Sequence, residues 1–349
     1  MDRLTIAITG MNARPDNPGP GLAVAKCLRE VPDNQYKIIG LSYDALDAGL
    51  YLTQYTDHAY LIPYPSSGEN ALIERMQYIN DQHNIDVLIP CLDAELPNFV
   101  RMQPLLKDMG IKTFLPDQTQ LRYRNKDVLP ELAGHADIQC PEIKSITSTR
   151  FFEDCEENDW EFPFVVKGIF YDAQIVHNPI EASKAFNRIA AQWGLPVLIQ
   201  RFIKGEEYNL TAVGDGEGNL INPVMMKKMA LTDKGKAWAG VSINDHTLLE
   251  ASCKLVAQIK WRGPLEVEVM KDPDGQYQLI EINPRFPAWI YLSAGVGKNL
   301  PECLVKLALG QTVNNIENSD VGKIFIRYAE EHIISISDFE AIVMQGHNV

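Results

Sequence analysis

Residues 263–286, reading GPLEVEVMKDPDGQYQLIEINPRF, constrain the fold more than any other stretch of the chain. Two runs of alternating polar and apolar residues flank Asp272-Pro273-Asp274-Gly275, and a strand sends successive side chains to opposite faces. The segment therefore reads as an antiparallel hairpin. Glu266 and Glu268 share one face with Leu279, Glu281 and Asn283, while Val267, Val269, Ile280 and Ile282 supply a core face. A two-residue turn at Asp274-Gly275 sets Glu268 across from Glu281 and Glu266 across from Asn283. A four-residue loop would shift this register by two and change the partners, leaving the acidic face intact.

Like charges facing each other across strands destabilise a sheet. At about 4 Å the repulsion is roughly 4 kcal/mol at an effective dielectric near 20, and about 1 kcal/mol in water. A partly buried cluster thus needs a cation or a raised carboxyl pKa. Magnesium suits it, because that ion takes oxygen ligands and is held by one or two carboxylates together with substrate phosphates. The alternative is an exposed hairpin with a solvated acidic face. Asn283-Pro284-Arg285 favours the ion, since an amide and a guanidinium suit a phosphate beside a metal.

The rest of the chain divides by period. The 349 residues suggest two or three domains. Up to about residue 116, strand-like runs at 4–9, 37–41, 86–90 and 112–115 alternate with helical runs at 20–30, 70–83 and one closing at 104–110, the pattern of a parallel sheet covered on both faces. A second region spans 117–195, with helices near 126–133 and 179–193 and a strand at 164–167. A third, 196–330, opens on a short strand at 196–202 and holds longer strands at 208–215, 219–227, 265–271 and 277–283, with helices at 246–260 and 300–309. The tail 331–349 is weakly patterned and stays unassigned. The expected fold class is α/β, becoming α+β in the C-terminal part.

Charge narrows the partners. Thirty-two basic against 46 acidic residues give −14, which weighs against nucleic acid or an anionic membrane, both of which need a basic footprint. No apolar run approaches the roughly 18 residues of a membrane span, and MDRLTIAITG is too polar for a signal-peptide core. Six isolated cysteines without a CxxC pair read as reduced, mostly buried thiols of a cytoplasmic protein. The seven histidines show no metal-ligand spacing.

The motif Glu268…Glu281-Ile-Asn283-Pro-Arg285 resembles the ATP-grasp superfamily, nearest its carbamoyl-phosphate-synthase-like and PylC-like carboxylate–amine ligases. The resemblance extends over roughly residues 1–310 in the order of elements. It implies an N-terminal Rossmann-like pre-ATP-grasp domain followed by a two-lobed ATP-grasp module. It also implies ATP and Mg2+ (or Mn2+) as cofactors, with Glu268, Glu281 and Asn283 as metal ligands and Arg285 beside the γ-phosphoryl. Lys126 in RYRNKD and Lys167 in FPFVVKG match the lysines that meet ATP phosphates. In VLIQRFIKGEEYNLTAV, Gln200 stands where the family usually has an acidic residue on the adenine amino group. Arg201, Phe202 and Ile203 would line the adenine pocket, and Glu207 would hold the ribose, with Glu206 as second candidate. Lys228, with Lys227, Lys234 and Lys236, lies in a stretch resembling a phosphate-facing segment; Lys228 is taken as catalytic. The segment after Lys167 departs from the family in having a single glycine, which implies a short lid built on side chains or weak closure.

Two further segments stay open. The loop Gly10 to Gly21 (GMNARPDNPGPG) admits a dinucleotide site, a substrate-facing loop that includes Asn12, or a structural turn. Asp93 and Glu95, after the strand at 86–90, admit either a substrate ammonium or favourable charge at a helix start. The resemblance implies an ATP-dependent ligase that phosphorylates a small-molecule carboxylate and passes the acyl group to an amine, releasing ADP and phosphate, with homodimers common among its members. The rivals are a nucleotide-binding regulatory protein and a ligase acting on a carrier-bound or protein substrate.

Overall fold

The computed structural model describes residues 3–155, 157, 159–169, 172–317 and 320–348. Phe170 and Tyr171, at the centre of the expected lid, lie outside them.

The N-terminal sheet is parallel, in the order β3-β2-β1-β4, and consists of β1 (Leu4–Ile8), β2 (Tyr36–Ser42), β3 (His58–Leu61) and β4 (Val87–Ile89). Helices α1 (Gly21–Arg29), α2 (Glu69–His83) and α3 (Leu96–Asp108) cover it. Its strands are mostly apolar because both faces are buried, with Thr5, Lys37, Ser42 and His58 as the polar exceptions. Ile6 and Ile8 enter one core with Val24, Leu28 and Ile38, while Ala7 enters another with Ile39, Leu72 and Phe99. The expected strand at 112–115 reduces to a single bridge between Lys112 and Val87.

The second sheet has the order β5-β8-β6-β7, all antiparallel, from β5 (Ile143–Ile146), β6 (Phe164–Lys167), β7 (Ala173–Val176) and β8 (Val197–Arg201). Two short helices precede it, α4 (Gln118–Leu121) and α5 (Leu129–His135). Helix α6 (Pro179–Trp193) packs on the sheet through Ala182, Ala185, Phe186 and Ile189, an i, i+3, i+4, i+7 stripe. It is started by Asn178, whose side chain accepts from Glu181 N, and is stopped by Gly194 at φ +85°. The small lobe therefore reaches Arg201, beyond the expected boundary at 195, because β8 hydrogen-bonds between β5 and β6. Helix α5 sits instead on the larger sheet, its Leu129 and Leu132 sharing a core with Val256 and Val267.

That larger sheet runs β13-β12-β9-β10-β11-β14, from β9 (Glu206–Asp215), β10 (Leu220–Leu231), β11 (Ala237–Ile243), β12 (Arg262–Lys271), β13 (Tyr277–Asn283) and β14 (Ile324–Ile326). Helices α7 (His246–Ile259), α8 (Tyr291–Gly295) and α9 (Leu300–Ala308) accompany it, and α10 (Ile336–Gln345) lies in the tail. Phe286, Ile290, Leu300 and Leu304 share a core with Val24 and Leu28, fastening the N-terminal sheet to this lobe.

The hairpin holds the register of the two-residue turn, Glu268 opposite Glu281 and Glu266 opposite Asn283, by a different route. Asp272 N donates to Gln276 O at 3.0 Å, leaving Pro273, Asp274 and Gly275 in the loop, with Gly275 at φ +80°. The pairing at the turn end is displaced by one residue, and a bulge between Glu268 and Val269, which skips Ile280, restores it. The bulge also corrects the expected core face: Leu279 joins Val267, Val269 and Ile282 inside, and Ile280 leaves it.

The unassigned tail returns to the N-terminal sheet. Leu61 N donates to Gly346 O at 2.8 Å and Asn348 N to Ala59 O at 3.2 Å, so residues 346–348 cover the open edge of β3. Four of the cysteines are buried, Cys140 is half-buried and Cys253 is exposed. Among the described residues no helix is long and apolar enough to cross a membrane.

Candidate active site

Strand alternation on β12 and β13 delivers Glu266, Glu268, Glu281 and Asn283 to one face, and the neighbouring strands β9 and β10 add Glu207, Asn209 and Lys228. Glu266 is 4% exposed and fully engaged. It accepts from Trp289 Nε1 at 2.6 Å, Asn209 Nδ2 at 2.8 Å and Asn283 Nδ2 at 3.0 Å. Burial, then the neighbouring Glu268, raises its carboxyl pKa. Glu268 moves the other way: burial alone would raise it, but the Lys228 ammonium, with Lys236 further off, holds it well below the usual carboxylate range. Lys228 Nζ stands 3.2 Å from both Glu268 Oε2 and Glu207 Oε2. Those carboxylates overcome its desolvation and raise its pKa above the ordinary lysine value.

Lys126 and Lys167 converge on the same face from elsewhere in the chain. Lys126 Nζ pairs with Glu281 Oε1 at 2.8 Å and is 6% exposed. Lys167 ends β6 and is likewise buried. Burial first, then the Lys126 ammonium, lowers it to about 8 against the pull of Glu281 and Glu268. Two buried ammonium groups that disfavour each other are arranged for an anion. Arg285 Nε donates to Asp93 Oδ2 at 2.7 Å, and its terminal nitrogen reaches Asn283 Oδ1 at 3.4 Å. The Asn283 amide nitrogen meanwhile bridges Glu266 and Glu268, the latter at 2.8 Å.

In the cleft beside these groups, polar atoms stand without partners. Gln200 Nε2 is buried with no hydrogen bond, and Glu207 Oε2 has only the unaligned Lys228 contact. Buried polar atoms are normally satisfied, so both suit a ligand. The half-buried Phe202 and Ile203 follow Gln200 out of β8. The Arg201 guanidinium is turned away from this cleft: it pairs with Glu142 at 2.8 Å, donates to Asp159 O at 2.8 Å and lies over Trp160. Glu206 is exposed and pairs with Lys227 at 2.7 Å, and Lys234 pairs with Asp16 at 2.8 Å, so these lysines are surface groups.

Two expected substrate residues do other work. Glu95 is 0% exposed, and its carboxylate accepts from Thr9 Oγ1, Tyr43 OH, Cys91 N and Leu92 N. It pins the loop after β4 to β1 and is closed to a substrate ammonium. Asp93 orients Arg285. In the N-terminal loop, a Cβ on Gly21 would stand 2.0 Å from Thr9 O and one on Gly19 2.3 Å from Gly10 O. Those glycines permit close approach of backbone to backbone, and Asn12 Oδ1 accepts from Gly19 N at 2.8 Å. Glu266, Asn209 and Trp289 were not singled out from the sequence as site residues. Glu266 carried a signal in its alternation with Glu268, whereas Trp289 follows the motif without any periodic cue.

Among the described residues, no group of three or more His, Cys, Asp and Glu side chains is placed to hold a metal by itself. Two cross-strand carboxylates and an amide remain as an oxygen donor set, which fits a magnesium ion that completes its shell with phosphate and water.

This architecture is an ATP-grasp fold. Residues 195–330 match the family described as ATP-grasp in the biosynthetic pathway with Ter operon. The carbamoyl phosphate synthase large chain of Clostridium botulinum is 25% identical over 257 residues, 68% of this chain and 23% of that protein. The chain thus spans about a quarter of the curated relatives it matches. Among solved structures, biotin carboxylase from Campylobacter jejuni in complex with a β,γ-ATP ligand superposes with a TM-score of 0.69 at 16% identity, covering 92% of this chain and 74% of that one. An L-amino acid ligase from Bacillus licheniformis gives 0.64 at 15%, covering 88% and 75%. The biotin carboxylase domain dimer of Hydrogenobacter thermophilus 2-oxoglutarate carboxylase, solved with MgADP, ADP and bicarbonate, gives 0.69 at 14%, covering 93% and 74%.

Proposed function

We propose that the chain is an ATP-dependent ligase joining a small carboxylic acid to an amine. The observation that carries this reading is the convergence of Lys126, Lys167 and Lys228 with Glu268, Glu281, Asn283 and Arg285 on one face, from segments up to 159 positions apart in sequence (126 to 285). Adenine meets Gln200 and the backbone of residues 201–203, and ribose meets Glu207. Lys126 and Lys167 hold the phosphates. A magnesium ion on Glu268, Glu281 and the Asn283 oxygen would neutralise the charge of the transferring phosphoryl group; Arg285, braced by Asp93, donates to the same group.

A substrate carboxylate oxygen attacks the γ-phosphorus, the bond to the β-phosphate oxygen breaks, and ADP leaves. The amine then attacks the carbonyl carbon of the acyl phosphate, phosphate departs with the C–O electron pair, and the amine loses its proton. Positioning and charge neutralisation supply the acceleration, as expected for phosphoryl transfer. Bicarbonate in one fold neighbour and amino acids in another are two small-acid precedents consistent with this class.

The test is ADP release from Mg-ATP in the presence of carboxylic acids and amines. Glu281→Gln should lower that release about 100- to 1,000-fold, the order seen when one electrostatic stabiliser is removed, while the fold persists. A fully active Glu281→Gln protein would overturn the metal assignment. A nucleotide-binding regulatory protein is the second reading, favoured by the Lys126–Glu281 pair, which already neutralises one carboxylate; ATP binding without acid-dependent ADP release would select it.

A further inference from the structure

The acid is the unnamed part of that reading, and a second cavity bears on it. A space of about 380 Å³ lies between the loop at Asn12–Gly19 and the strand end at Phe325–Tyr328, with Trp289 in its wall. Tyr55, Trp238 and Phe325 add further aromatic rings to the wall. Three cations line it as well: Lys26 and Arg327, both half-buried, and Arg14, which is exposed and pairs with Asp44 at 3.5 Å. Lys26 Nζ stands 5.1 Å from the centre of the Tyr55 ring. Arg327 spends its Nε on Ala237 O at 2.8 Å, and its guanidinium carbon lies 5.9 Å from the centre of the Phe325 ring.

Among the described residues neither Lys26 nor Arg327 lies within ion-pair distance of a carboxylate, whereas Lys126, Lys228, Arg29 and Arg285 each have one. Burial lowers Lys26, with the exposed Glu330 pulling upward and Arg327 adding to the fall. Burial likewise lowers Arg327 to about 10, although Glu266 pulls it upward. Two mutually repelling, half-buried cations in a chain of charge −14 form a pocket that an anion would relieve. The pocket adjoins the proposed reaction centre, because Trp289 donates to Glu266 at 2.6 Å. Its volume falls within the range of small-molecule pockets and exceeds what bicarbonate or acetate would fill.

We propose that this cavity binds the acid substrate, a carboxylic acid with a flat aromatic body: the aromatic walls take the body, and Lys26 and Arg327 draw in the carboxylate. Its role as substrate site rests on the ligase reading; its binding chemistry does not.

Calorimetry on the full chain without nucleotide tests the binding. The probes are phenylacetate, indole-3-acetate and phenylpyruvate, against phenylacetamide and acetate. At least one aromatic acid should saturate, with the amide and acetate at least ten times weaker, and with a change in the fluorescence of Trp238 and Trp289. Arg327→Gln and Lys26→Gln should each weaken the acid at least tenfold, Arg327→Lys should retain most of the affinity, and Mg-ATP binding should be unchanged in all three. Absence of binding by every aromatic acid, an amide as tight as its acid, or undiminished binding by Arg327→Gln would overturn the proposal. Acid binding without ADP release would leave the pocket standing and sink the ligase reading. ADP release driven only by a non-aromatic acid would leave the ligase reading standing and overturn the pocket's role as substrate site.

Discussion

Lys228→Met is the sharpest perturbation of the site. The Lys228 ammonium is 3.2 Å from Glu207 and 3.2 Å from Glu268, and its side chain is 6% exposed against 27% and 17% for the two carboxylates. At an effective dielectric near 20 each contact is worth about 5 kcal/mol before desolvation. Removing one member of such a buried group costs about 3–5 kcal/mol, because the partner charge is left uncompensated. Urea unfolding followed by tryptophan fluorescence should show that loss at pH 7. The double variant Lys228→Met/Glu268→Gln should recover at least about 1–2 kcal/mol, since the orphaned charge is gone. The pH dependence has a definite sign. In the native protein Glu268 is held below its ordinary value near 4.5, so its stabilising contribution is complete above that value and is lost as pH falls toward the folded value. In the variant the main lowering charge is gone, and burial raises Glu268 against the weaker pull of Lys236 and Arg285, so the folded variant takes up a proton before the unfolded chain does. Its deficit should therefore shrink between pH 7 and pH 5. A deficit under about 1 kcal/mol at pH 7, or one that stays constant over that range, would refute the reasoning.

Three other outcomes are expected. Gln200→Leu removes an amide whose Nε2 has no partner; ATP should bind about tenfold more weakly, as befits one hydrogen bond, with unfolding midpoints unchanged, and equal affinity in calorimetry would remove Gln200 from the adenine site. Trp289→Phe deletes the 2.6 Å bond to the buried Glu266 and should cost about 1.5–3 kcal/mol in urea unfolding; a loss below about 0.5 kcal/mol would mean that Asn209 and Asn283 satisfy the carboxylate alone. At the tail, burial and then the neighbouring His58 and Lys37 lower His83 to about 4, so its contribution is full above about 6.5 and is lost as pH falls toward 4. Amide exchange at Ala59 and Leu61, under residues 346–348, should accelerate over that interval in the native chain and not in His83→Phe.

How far these features could be read from the sequence depended on how local their cause is. Residues 179–193 and 277–283 match the observed bounds of α6 and β13, because a capped apolar stripe and an alternating run next to a turn signal each carry their own information. Helix α5 had a local pattern too, but its lobe was set by contacts with Val256 and Val267, far along the chain. Strand β3 and the tail that covers it were invisible for the same reason: backbone hydrogen bonds between residues 59–61 and 346–348 leave no periodic mark. For Glu95 the sequence leaves a substrate ammonium and a helix-start charge both open, because nothing in CLDAE reveals that Thr9 and Tyr43 come to meet it. The carboxylate face itself survived two local errors that cancel. The loop takes one residue more than the Asp274-Gly275 turn requires, and the bulge skips one at Ile280. A register slip by one turns every later side chain to the opposite face, so without the bulge Glu281 and Asn283 would have pointed into the core that holds Val267 and Leu279. Burying Glu281 and Asn283 there would leave a carboxylate and an amide without partners, at a cost of several kcal/mol, while Ile282 would face the cleft. The burial pattern therefore selects the bulged pairing, and the acidic face follows from where the apolar residues must go.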